Sequence, residues 1–161
     1  MRQVYFGENG ILAGVRSGSV VVDMTTTEPS LALDVYEHAK TKGVFAIDAP
    51  VSGGTLGAEK AKLAIMVGGK RRIFNKVKKL LNTMGKATYV GKTGSGQVAK
   101  LANQAIVGIT IGAVSEALIL AEAAGANPKE VRKAIKNGFA SDGGLFVPKA
   151  IPKIKKVVYA G

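Results

Sequence analysis

The chain has 161 residues, 47% of them hydrophobic, with 23 Lys or Arg against 11 Asp or Glu and a formal net charge of +12. That length admits one modest domain with a core, or pieces of two. The lack of Cys excludes disulfides and thiolate metal sites, and a single histidine, His38 in a charged helix face, excludes a His-cluster metal site.

Met1 is followed by Arg2 and no apolar signal core, which with the missing cysteines points to the cytoplasm. Gly7-Glu8-Asn9-Gly10-Ile11 reads as a loop into a short element. Val20 to Asp23 is a β-branched run, the pattern of a buried strand. Pro29 suits the first turn of a helix running to about Lys42, and Gly43 ends it. Val44 to Asp48 is the next strand, completing a strand–helix–strand unit of parallel-sheet type. Ala49-Pro50-Val51-Ser52-Gly53-Gly54 is a loop at that strand's carboxyl end. Leu63 to Gly69 and Ala87 to Gly91 are the third and fourth strands, with a basic helix between them.

From Lys60 to Lys92 there are ten Lys or Arg and no acid. Within that segment Ile73, Phe74, Val77, Leu80 and Leu81 form a helical stripe, which leaves the basic residues an outer face. A basic nucleic-acid-binding module is the alternative. Aromatic platforms are scarce and no groove-reading motif appears, so a solvated face is preferred and no nucleic-acid partner is expected.

A long helix runs from Gln97 to about Ala124, apolar all round, which is the pattern of burial between partners. Ala105 to Ala124 would be long enough to cross a membrane, but it holds Glu116 and Glu122. Each charge costs about 2.5–3.5 kcal/mol at a bilayer centre, so a buried helix is the expectation and no membrane partner is called. Asn127-Pro128-Lys129-Glu130 then reads as a capped helix start, with Asn127 as N-cap. That helix stops at Asn137-Gly138.

The candidate chemistry centres on Gly94-Ser95-Gly96-Gln97-Val98-Ala99-Lys100-Leu101-Ala102-Asn103-Gln104. Lys100 stands alone there: the next charge is Glu116 and the next basic residue Lys129. Helical spacing puts Asn103 and Gln104 on its face. A lysine stem lying on apolar surface with its head in water is the structural alternative. If a carbonyl is reduced by hydride, a nearby ammonium can stabilise and protonate the alkoxide that forms. Ser52, Gly53 and Gly54 offer a hydroxyl and unobstructed backbone N–H groups that suit a substrate carboxylate, or else form an ordinary turn. Thr25 and Thr26, just past a strand, could touch a nucleotide or act as plain caps.

Four blocks, Val22-Asp23-Met24-Thr25-Thr26, Asp48-Ala49-Pro50-Val51-Ser52-Gly53-Gly54, Leu63-Ala64-Ile65-Met66-Val67-Gly68-Gly69 and Gly94-x-Gly96-Gln97-x-x-Lys100-x-x-Asn103-Gln104, occur in the order and character of the β-hydroxyacid dehydrogenase family. This is the group of 3-hydroxyisobutyrate dehydrogenase and tartronate semialdehyde reductase (2-hydroxy-3-oxopropionate reductase). Gly7-Glu8-Asn9-Gly10, Ala102-Asn103-Gln104-x-Ile106-Val107, Ser115-Glu116-Ala117-Leu118 and Gly138-Phe139-Ala140-Ser141 resemble the reductase branch more closely. The resemblance implies an α/β chain: a partial Rossmann-like parallel sheet over 1–93, a long interdomain helix over 94–124, and the start of an all-α dimerisation domain from 125. It implies NAD(P)H as cofactor, a small 3-oxo or 3-hydroxy acid as substrate, and a homo-oligomer. The implied reaction is reduction of tartronate semialdehyde to glycerate, with a 3-hydroxyisobutyrate-type dehydrogenase as the alternative. Carried over by position, Lys100 would be catalytic, Ser52, Gly53, Gly54 and Asn103 would bind substrate, and Thr26 would contact the dinucleotide.

The sequence departs from the family's pattern in two places. No Gly-x-Gly-x-x-Gly follows an early strand, and the resemblance fades after Ser141, so that 142–161 reads as a non-family tail. The chain looks like a fragment of such an enzyme.

Overall fold

The structure, a computed structural model, describes residues 1–136 and divides into two units, Met1–Ile106 and the described part of Val107–Gly161. The expected helix stop at Asn137-Gly138 and the expected tail from 142 lie outside the described residues.

The first unit opens with two short helices, α1 (Arg2–Phe6) and α2 (Ile11–Gly14), where the sequence reads as a loop before one short element. Strand β1 (Val20–Asp23), helix α3 (Pro29–Thr41) and strand β2 (Phe45–Asp48) then form the expected unit. The strands pair in parallel from Val20↔Phe45 to Asp23↔Asp48. Gly43 turns the chain out of α3 at φ +67°, a conformation that side chains resist. Next come β3 (Val51–Ser52), α4 (Gly54–Glu59), β4 (Leu63–Gly68), α5 (Arg71–Leu81) and β5 (Gly85–Gly91).

The sheet is mixed rather than parallel. Strand β4 runs parallel to β5 but antiparallel to β2 and β3. The pairs Asp48↔Gly68, Val51↔Ile65 and Ser52↔Ala64 share one register, and the Met66 N–H bonds the Pro50 carbonyl at 3.0 Å between them. Strands β2 and β3 are thus one course of chain, interrupted where Pro50 has no N–H to give. The reversal has a simple cause. Only ten residues separate Ser52 from Leu63, and a parallel crossover takes about a dozen or more. The segment instead doubles back through α4, and the expected loop over Ala49–Gly54 holds the short strand β3, because Val51 and Ser52 pair with β4.

Helices cover both faces of this sheet. Ile47, Leu63, Ile65 and Val67 pack with Ile73, Phe74 and Leu81 of α5. Tyr5, Leu12, Leu31, Val35, Val44 and Ala46 form the other core. Strand alternation does the sorting: Val20 and Val22 face the first cluster and Val21 the second. On α5 Ile73, Phe74 and Leu81 of the apolar stripe are buried and Val77 partly so, while Leu80 is 64% exposed. All ten basic residues from Lys60 to Lys92 are exposed. Several lie over aromatic rings, as Arg71 does over Tyr89 at 4.1 Å.

Helix α6 (Ser95–Ala123) starts in this unit and continues beyond it, about 43 Å long at 1.5 Å per residue. The expectation of a buried helix is not met. Its buried residues are Gly96, Gln97 and Lys100, while Ile109, Ile111, Ile119 and Leu120 are 63–72% exposed. A helix buries an apolar face only where another element lies against it, and among the described residues this happens only in its first turns. By length and composition α6 could also cross a membrane, with a mean hydropathy of 1.8 over its most apolar stretch. Helix α7 (Pro128–Lys136) starts as read: the Asn127 Oδ1 accepts the Lys129 N–H at 3.0 Å and Pro128 is the first helical residue.

Candidate active site

The site is built around Asp48, at the end of β2 and 2% exposed. Its carboxylate accepts the Gly94 N–H at 2.8 Å through Oδ1 and the Gln97 N–H at 3.0 Å through Oδ2. An acceptor anion at a helix start satisfies donors that have no partner within the helix and complements its dipole. In the Gly94-Ser95-Gly96 turn, Gly94 supplies a positive φ of +86° and Gly96 permits the close approach. A Cβ on Gly96 would stand 2.7 Å from Asp48 Oδ2 and press on the Met66 carbonyl. The glycine turn therefore seats the start of α6 against the sheet edge.

One turn further along α6 is Lys100, 9% exposed. Its Nζ donates to Gln104 Oε1 at 2.9 Å. The same oxygen accepts from Asn103 Nδ2 at 3.0 Å, and that amide also reaches Ser52 Oγ at 3.5 Å. Lys100, Gln104, Asn103 and Ser52 thus form one string of polar groups, with Gly53 and Gly54 exposed beside it. Gly53, at φ +139°, turns the chain from β3 into α4. No carboxylate forms an ion pair with Lys100 among the described residues. An ammonium has three donors, and Gln104 engages one. A nearly buried cation without a counter-charge is costly, and an anionic ligand would relieve that cost.

Thr26 is not part of this string. It lies on the turn after β1, exposed, with no side-chain hydrogen bond among the described residues. Its neighbours are held firmly. Asp23 Oδ1 accepts both the backbone N–H and the hydroxyl of Thr25, at 2.9 and 2.5 Å. Gln97 reaches the same turn, accepting the Thr27 N–H at 3.0 Å and donating to the Thr25 carbonyl at 2.8 Å. Asp23 Oδ2 is buried and, among the described residues, within hydrogen-bonding geometry of no donor. Burial first, and then the Asp23 charge, hold the Tyr5 phenol well above its usual range. Exposed Thr25 and Thr26, at the carboxyl end of the parallel pair, sit where open α/β sheets take ligands, and their hydroxyls suit a ribose. Asp48 and Gln97 were not picked out from sequence. The usable signal was a polar residue one turn before Lys100 on an otherwise apolar helix, which lacks an obvious reason to be polar unless something there needs both a donor and an acceptor.

Residues 1–94 match the family model for the NAD-binding domain of 6-phosphogluconate dehydrogenase. Residues 94–150 match that for the NAD-binding part of NADP-dependent 3-hydroxyisobutyrate dehydrogenase. The 2-hydroxy-3-oxopropionate reductase of Escherichia coli (strain K12) is 45% identical over 142 residues, 88% of this chain and 49% of that protein. A mitochondrial 3-hydroxyisobutyrate dehydrogenase-like protein of Arabidopsis thaliana is 46% identical over 133 residues, 83% of this chain and 40% of that one. Among solved structures, the 3-hydroxyisobutyrate dehydrogenase of Mycobacterium tuberculosis with L-serine is similar at a TM-score of 0.74 and 33% identity, over 88% of this chain and 50% of that one. The chain spans about half the length of the curated relatives it matches. With two adjoining family models accounting for residues 1–150, and an α/β fold shared with these dehydrogenases, the chain belongs to the β-hydroxyacid dehydrogenase family.

Proposed function

We propose that this chain carries the proton donor and substrate cradle of an NAD(P)H-dependent reductase of small 3-oxo acids. The observation that carries the reading is Lys100: nearly buried, without a counter-ion among the described residues, and aligned by Gln104 beside Asn103 and Ser52. The dinucleotide, when bound, supplies the hydride. The carbonyl carbon gains that hydride, its oxygen takes the charge, and a donor of Lys100 stabilises the oxygen and gives it a proton. Ser52, Gly53 and Gly54 hold the substrate carboxylate, while Asn103, tied to both Ser52 and Gln104, sets the substrate's distance from the ammonium. Thr26 contacts the dinucleotide from the other side. In the intact enzyme Lys100→Ala should lower kcat by about 10²–10⁴, the scale of a lost acid–base group, with little change in cofactor affinity. Normal kcat in Lys100→Met would leave the lysine only a packing role.

The specific substrate we propose is tartronate semialdehyde, reduced to glycerate. Similarity to the E. coli reductase favours it, as do the Gly7–Gly10 and Ser115–Leu118 segments. Oxidation of 3-hydroxyisobutyrate is the second reading, favoured by the similarity to the Arabidopsis and M. tuberculosis proteins. Comparing kcat/KM on the two compounds decides between them, and a higher value on 3-hydroxyisobutyrate would reverse the choice.

A further inference from the structure

Gln97 has no exposed surface. Both ends of its amide are spent on a distant turn: Oε1 accepts the Thr27 N–H at 3.0 Å and Nε2 donates to the Thr25 carbonyl at 2.8 Å. Those two peptide groups flank Thr26. The backbone N–H of Gln97 bonds Asp48, and Lys100 lies three residues on, along the same helix face. An apolar side chain of equal size could fill the space as well. It would leave the Thr27 N–H and the Thr25 carbonyl without this partner, so packing alone does not account for an amide here.

We propose that Gln97 is a positioning residue that ties the turn bearing Thr26 to the helix bearing Lys100, fixing the spacing between the dinucleotide contact and the proton donor. This rests on the reading of Thr26 and Lys100 given above. The amide reads its partners directionally, since one end can only accept and the other only donate. Gln97→Leu removes both bonds. Gln97→Glu removes or restores them according to its protonation. Neutral, the introduced carboxyl offers an oxygen to the Thr27 N–H and an O–H to the Thr25 carbonyl, as the amide does. Ionised, it sets a lone pair against that carbonyl. Burial and the carboxylates of Asp48 and Asp23 all disfavour the ionised form, and the Thr27 N–H, the Lys100 ammonium and the positive N-terminal end of α6 favour it. Complete burial at residue 97, which strips the solvation from a charge, decides the balance and raises the introduced group above the usual carboxylate range. The bonds are therefore present at low pH and lost as pH rises through that raised value.

The test uses the intact enzyme, NADP⁺ titration without substrate, and amide exchange of the peptide spanning Thr25–Thr27. Gln97→Leu should weaken NADP⁺ binding about tenfold or more and speed exchange in that peptide. Gln97→Glu should bind NADP⁺ nearly as the unsubstituted enzyme does at about pH 5 and lose affinity as pH rises, relative to the unsubstituted enzyme at each pH. Unchanged affinity and exchange in Gln97→Leu would overturn the proposal, as would a Gln97→Glu defect that is the same at every pH. If Gln97→Leu does not fold, the pH response of Gln97→Glu decides alone. Lys100→Met separates the two ideas: retained kcat there defeats the assignment of Lys100, whereas binding and exchange report on Gln97 independently.

Discussion

Both halves of α6 invert the usual pattern of a soluble helix, each in its own way. In its first turns polar residues are buried, with Gln97 fully covered and Lys100 nearly so, while Val98 and Leu101 are half exposed. Further along, from Ile106 to Leu120, the large apolar side chains are the exposed ones. Each half is costly alone, for opposite reasons. Buried polar groups need partners, and the fold supplies them for Gln97, whereas among the described residues Lys100 has the neutral Gln104 alone. Exposed apolar surface of this extent is rare on soluble monomers and marks a face meant to be covered. Among the described residues the first half lacks a counter-charge and the second lacks a neighbour. The first deficit is what makes a ligand site; the second is a matter of assembly.

The comparison is most exposed to failure at Asp48. Asp48→Ala would strand two buried N–H groups at the start of α6 and remove the anion there. Charge-assisted bonds contribute about 1.5–3 kcal/mol each, so a loss of about 3–6 kcal/mol is expected in urea unfolding. Asp48→Asn keeps acceptor capacity but not charge and should lose less. A loss below about 1 kcal/mol for Asp48→Ala would mean that the helix start is not held as described. Ile65→Ala comes next. Ile65 is 1% exposed in the core against α5, and such truncations cost about 2–5 kcal/mol.

Most of this architecture was legible. Val20–Asp23, Pro29–Thr41 and the alternation of β4 carry periodicities that permit few other readings, and helical spacing alone places Asn103 and Gln104 beside the lone Lys100, where they share hydrogen bonds. The strand direction of β4 was missed because hydrophobic pattern is blind to polarity of pairing; the length of the Gly53–Lys62 connection was the available clue. Asp48 and Gln97 were missed for a different reason. Their partners lie 46 to 72 residues away in sequence, and no local pattern encodes a contact made by the fold. An all-round apolar helix such as α6 announces that it needs cover without saying whether the chain provides it, and among the described residues it is left uncovered beyond its first turns.

A smaller effect is expected at Ser52. Its hydroxyl is half-buried, 3.5 Å from Asn103 Nδ2, and its proposed partner is the carboxylate that does not react. Ser52→Ala should therefore raise KM about tenfold or more, the value of one hydrogen bond to a charged group, and leave kcat nearly unchanged. A fall in kcat with KM constant would move Ser52 from substrate binding to the chemical step.

The smallest effect, and the most direct check on the inversion within α6, is at Ile109. It is 70% exposed, so Ile109→Ala removes methyl groups that already face solvent and leaves no cavity. Alanine also has the better helix propensity, by a few tenths of a kcal/mol. Stability of the 161-residue chain should change by no more than about 0.5 kcal/mol, against the loss of several expected at Ile65. A loss of about 2 kcal/mol or more would show Ile109 to be buried in solution. If that loss grew with protein concentration, a second copy would be the cover, because only an intermolecular contact makes stability depend on concentration.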